Sequence, residues 1–170
     1  MIKLLDILKY DYPPTISGRL SEVLSEITLN INNAADISGS VTEGEFTIGN
    51  IEYTYNINSI QNPYKDLGSF YNVQFNEKNN TSEPNTKTGN AKENYIKILS
   101  TMYKIICDFA STEHPDYIGL STLNKSGYWN VYNTLTKTNK VPGYTRKDAG
   151  LEFTTKNDDK GKFIVLKRVE

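Results

Sequence analysis

The sequence predicts an α+β domain. Its sheet is expected to be mixed and mostly antiparallel, with one parallel strand–helix–strand crossover and helices on the sheet faces. Three observations carry that expectation. Apolar residues alternate with polar ones through Phe46, Ile48, Ile51, Tyr53, Tyr55 and Ile57, and again through Tyr71, Val73 and Phe75, the period of half-buried strands. They then recur at helical spacing at Tyr95, Ile98, Leu99, Met102, Ile105, Ile106 and Phe109. A short apolar run at residues 116–122 follows that helix, and a strand–helix–strand step implies a parallel, right-handed crossover. The helix needs a sheet face to cover its apolar stripe.

Taken in order, Ile2, Leu4, Leu5 and Leu8 suit a first helix that Pro13-Pro14 ends. Leu20, Val23, Leu24 and Ile27 share one face of a second, with Ser17 as its cap. Residues 27–33 alternate like a strand and residues 32–44 read as a loop. Gly49-Asn50 suits a two-residue hairpin turn between two alternating runs. Residues 69–77 make another strand, and residues 76–90 a polar loop. On the long helix, Lys92, Glu93, Lys97, Ser100, Lys104 and Asp108 take the solvent side, and Pro115 closes the region. Tyr128, Val131, Tyr132 and Leu135 mark one more helix, residues 141–144 turn the chain, and residues 150–169 form a final hairpin around Asp158–Gly161. With no internal repeat and no domain boundary, residues 1–170 read as a single domain: a helical N-terminal extension over 1–43 and a core over 44–168.

At 170 residues, 37% hydrophobic and 23% charged, the chain suits one globular domain with a real core. A net charge of -1 gives no bulk attraction to nucleic acid or anionic membrane. No apolar run approaches the ~20 residues of a membrane span, and the opening segment is too short and too charged for a signal peptide. One cysteine, Cys107, excludes an internal disulfide and suits a reducing compartment. With one histidine, His114, a zinc site of His and Cys ligands cannot be assembled, so no metal is expected. The 12 tyrosines suit half-buried sheet faces.

The pattern Thr86-x-x-Gly89-x-Ala91 at the start of the long helix, with Val131-Tyr132 and Leu135 on the later one, resembles the GNAT-type N-acetyltransferase core. That family runs three strands, a loop, a long helix, a strand, a helix and two strands, and the resemblance covers roughly residues 44–168. It implies acetyl-CoA as cofactor, an amine as acceptor, and Tyr132 as general acid to the departing thiolate. It also assigns Asn124 a place beside the cofactor. The chain departs from the family in having Thr86 where Arg or Gln stands, and helices before the first strand. The segment between Leu135 and Gly143-Tyr144 is also longer than the family's turn. More narrowly, residues 89–105 and the opening at residues 3–8 are similar to runs in uncharacterised tailed-bacteriophage proteins. This implies a phage-encoded protein in the cytoplasm of a bacterial host or in the virion.

The chemistry expected of the loop is that of a helix N-terminus. Unpaired backbone N–H groups of Thr88, Gly89, Asn90, Ala91 and Lys92 would meet a diphosphate at the positive end of the dipole. Gly89 allows close approach, and Lys87 and Lys92 add charge. The same residues also read as an ordinary cap, with Thr88 or Asn90 as capping side chain. On an apolar helix face Tyr132 reads first as a core aromatic. Glu45, Glu52 and Asp66 lie near the strands that would flank a site but read as solvated carboxylates, His114 as a turn residue, and Cys107 as half-buried packing. Three functions follow: an acyl-CoA-dependent N-acyltransferase; a non-catalytic phage accessory protein, either a virion component or a host-factor or anti-defence binding module; and nucleic-acid binding through the basic, aromatic C-terminal hairpin, against which the near-zero net charge argues.

Overall fold

The computed structural model describes residues 29–78, 91–123 and 128–170. The helices expected over residues 1–28, the loop at residues 79–90 and Asn124 lie outside the described residues. Within them the chain runs β1 (Ile37–Gly39), β2 (Glu43–Ile48), β3 (Ile51–Ile60), β4 (Phe70–Glu77), α1 (Ala91–Glu113), β5 (Tyr117–Leu123), α2 (Tyr128–Thr138), β6 (Tyr144–Thr154) and β7 (Lys160–Arg168). The strands form one sheet in the order β1-β2-β3-β4-β5-β7-β6. Every adjacent pair is antiparallel except β4 with β5, which are parallel across the α1 connection. This is the mixed, mostly antiparallel α+β arrangement that the periodicity predicts.

Local chemistry explains most boundaries. Gly49 takes φ 62 in the β2–β3 turn, where a residue with a Cβ would be strained. Residues 27–33 were expected to be a strand. Residues 31–33 instead form a 3-10 turn, because the Asn30 side chain accepts the Asn32 N–H at 3.0 Å and holds the backbone away from a ladder. The loop expected over residues 32–44 contains β1, a three-residue edge strand registered Ile37↔Phe46 to Gly39↔Gly44 on β2. The described part of the stretch over 1–43 thus holds this turn and strand. At the other edge, β6 starts at Tyr144 rather than Gly150, with register shifts at Arg146/Asp148 and Ala149/Leu151; such irregularities blunt an edge strand against pairing with another chain.

Residues 71, 73, 75 and 77 of β4 point to the face covered by α1, as the 5.2 Å edge contact of Tyr71 with Phe109 shows. The core on that side includes Val73, Ile106, Phe109, Ile118, Leu120 and Ile164, all essentially inaccessible. On the opposite face Phe70, Tyr117, Phe163 and Val165 form a second buried cluster under Tyr64 and Phe153. α1 buries more than its predicted stripe. Thr101 is enclosed because the segment before β1 packs on the helix flank, the Ala35 N–H donating to Thr101 Oγ1 at 2.8 Å. Ser100, expected on the solvent side, is also fully buried. His114 ends the helix in a left-handed conformation, φ 48, as a turn residue should.

Candidate functional site

The parallel pair β4–β5 is closed at one end and open at the other. Its ladder runs from Phe70↔Tyr117 to Val73↔Leu120 and stops there, although β4 continues to Glu77 and β5 to Leu123. Beyond that point β4 is held by β3, out to Glu77↔Tyr53, and β5 by β7, out to Leu123↔Gly161. The two strands are thus tied to outer neighbours and no longer to each other.

The closed end is pinned by a polar node. The Asp116 carboxylate accepts from the Ser69 N–H at 2.8 Å, the Ser69 hydroxyl at 3.1 Å and Arg168 Nη2 at 2.9 Å. The Asp116 N–H donates to Ser69 Oγ at 3.0 Å, and Arg168 Nη1 donates to the His114 carbonyl at 2.7 Å. Hydrogen bonding from Ser69, together with the Arg168 charge, holds the Asp116 carboxyl below its ordinary range.

The N-terminus of α1 lies toward the open end. Phe109, near the helix C-terminus, touches Tyr71 near the start of β4. The 23-residue helix, about 35 Å long, therefore runs back along β4 toward its far end. Of the residues expected to bind a cofactor, Thr88, Gly89, Asn90 and Asn124 lie outside the described residues. Ala91 and Lys92 form the first turn of α1, whose leading N–H groups have no intrahelical acceptor.

Tyr132 comes from α2. Its ring lies 6.4 Å from that of Phe75, two residues beyond the last ladder pair, and the residue is 1% exposed. Sequence reasoning missed Glu77. This carboxylate follows Val73 and Phe75 on the same face of β4, and burial pushes its pKa up. The strand alternation carried the signal: a carboxylate at the next inward position of an apolar face. A carboxylate at the end of the opening is the kind of group that can accept a proton from a bound amine.

The carboxylates named from sequence are elsewhere. Glu45 and Glu52 face Lys78 at 2.9 and 3.9 Å on the surface. Asp66 is not merely solvated: it accepts from the Tyr117 hydroxyl, from Asn62 Nδ2 at 2.6 Å and from the Gly68 N–H at 3.0 Å, and these bonds lower its pKa, that from Tyr117 most. It organises the loop before β4. Cys107 is half-buried beside Tyr103, and burial raises its thiol pKa, so no activated thiolate is present there. No group of three metal-ligating side chains occurs among the described residues, and no described helix is long and apolar enough to cross a membrane. Set against protein-family models, curated proteins and solved structures, the chain matches none.

Proposed function

We propose that the chain is a GNAT-like protein that takes the pantetheine arm of an acyl-CoA between β4 and β5 and passes the acyl group to an amine. The observation that carries this reading is the parallel ladder that stops at Val73↔Leu120 while both strands continue. The backbone groups of residues 74–76 that do not bond to β3 thereby face no strand on the β5 side and would be available to an amide-bearing ligand. The element order from β2 to β7, three strands, long helix, strand, helix and hairpin, supports the same reading. The amine attacks the thioester carbonyl and Glu77 accepts its proton. The carbon–sulfur bond breaks, and Tyr132 donates a proton to the leaving sulfur. Catalysis would come mainly from holding thioester and amine together.

The burial of Tyr132 favours a second reading, in which its ring only fills the core beneath Phe75 and the chain is a non-catalytic phage accessory protein that binds a host or virion partner. One experiment separates the two. Purified protein is titrated with acetyl-CoA by calorimetry, and thiol release is followed over a panel of amines. The acyltransferase reading expects saturable binding that Gly89→Glu abolishes, and thiol release that Tyr132→Phe slows. Binding without thiol release for any amine supports the second reading, and absence of binding removes the first.

A further inference from the structure

On the β1 side of α1, away from β4, β5 and α2, a cavity of about 480 Å³ opens between the segment preceding β2 and the helix. Its outer wall is fixed at three points. The Ala35 N–H donates to Thr101 Oγ1 at 2.8 Å, the Leu29 N–H to Asn139 Oδ1 at 2.7 Å, and the Tyr55 hydroxyl to the Ser40 carbonyl at 2.5 Å. The wall facing α1 carries the small residues Ala34, Ala35, Gly39 and Ser40 beside the larger Asp36, Ile37 and Val41. The groove is open to solvent at Asp36, Gly39 and Ser40, and its volume falls in the range of small-molecule sites.

The lining has a defined chemistry. Ile37, Val41 and Ile105 give the lining its apolar part, and Asp36 and Asp108 are its two acidic residues. The one cationic side chain among the lining residues, Lys104, is engaged by Asp108 one helical turn away. The Tyr55 hydroxyl donates its hydrogen to the Ser40 carbonyl and so presents its oxygen lone pairs. Burial raises the Tyr55 pKa, and the charge of Asp108 adds to the shift. The site offers acceptors and negative charge above an aliphatic floor.

We propose that this cavity binds a small alkylammonium ligand, its aliphatic body on Ile37, Val41 and Ile105 and its charged nitrogen between Asp36 and Asp108. The proposal stands apart from the acyl-transfer reading, because no residue of β4, β5 or α2 lines the cavity. The test is a titration of the full chain with 1,4-diaminobutane, followed by backbone amide shifts, with butanol and butyrate as neutral and anionic controls. Saturable shifts are expected at Ser40, Val41 and Tyr55 with the diamine alone. Asp36→Asn and Asp108→Asn each weaken binding three- to roughly tenfold, the scale of one partly screened charge contact. Lys104→Met tightens it, since Asp108 is then released to the ligand. Both carboxylates are surface-accessible, so unchanged thermal midpoints show that the variants fold. No saturable shift, equal shifts with butanol, or affinity indifferent to both carboxylates would overturn the proposal.

Discussion

Replacing Asp116 by asparagine loosens the closed end of the β4–β5 pair, and the structure sets the size of the effect. The carboxylate holds three acceptor contacts, two from Ser69 and one from Arg168. The amide of Asp116→Asn would keep one oxygen acceptor and lose the charge. The Arg168 pair is exposed at 44% and 41%, so its share is at most about 1 kcal/mol. One lost or weakened bond to Ser69 adds about 1 kcal/mol. The expected destabilisation is therefore about 1–2 kcal/mol, or roughly 2–8 °C in Tm for a chain of this size. The pH dependence has a definite sign. The folded pKa of Asp116 lies below its unfolded value, so its stabilisation is complete above the unfolded pKa, about 3.9, and is lost as pH falls through the folded value. Calorimetric scans of both proteins at neutral pH and near pH 2.5 read this directly: the difference should be present in the first and shrink in the second. An equal difference at both values would refute the assignment of the stabilisation to the charged carboxylate.

Other perturbations probe separate elements. Thr101→Val leaves the buried Ala35 N–H without its acceptor and should cost about 1–3 kcal/mol in denaturant unfolding, more than a surface Thr→Val. Gly119→Ala sets a methyl 2.6 Å from Phe70 Cε1 and 3.1 Å from Phe163 Cδ1, and should cost about 1–3 kcal/mol by overpacking in the same assay. Glu77 has a folded pKa raised by burial, so the stability it contributes belongs to the protonated form and is lost as pH rises through the folded value. Glu77→Gln should consequently stabilise slightly at neutral pH, by less than about 1 kcal/mol, with no gain below about pH 4. If Glu77 takes the amine proton, the same variant slows acyl transfer on the order of 10²-fold, measured by thiol release.

Much of the framework was legible because it rests on periodicity. The β2–β3 hairpin, β4, α1, β5 and α2 each bury one face against the same core, and that constraint is written into residue spacing. The errors arose where local hydrogen bonding overrides pattern. Asn30 turns an alternating run into a 3-10 turn, and Gly39 and Ser40 let a polar stretch form a short edge strand. The site was legible only in part. A Gly-x-Ala pattern before a helix marks a position where a ligand can approach backbone, but no sequence rule signals where a parallel ladder stops. That depends on β3 and β7 drawing β4 and β5 apart, a property of the whole sheet. Glu77 was overlooked because a carboxylate next to a polar loop reads as solvated, whereas strand alternation turns it inward beside Phe75.

Amide shifts recorded while coenzyme A is added bear most directly on whether the space between the strands is a ligand slot. Residues 74–77, 121–123 and the first turn of α1 should move together and saturate, while Gly39, Ser40 and Tyr55 stay still. Coenzyme A leaving those three groups unmoved, or moving only residues outside them, would contradict acyl-CoA binding between β4 and β5.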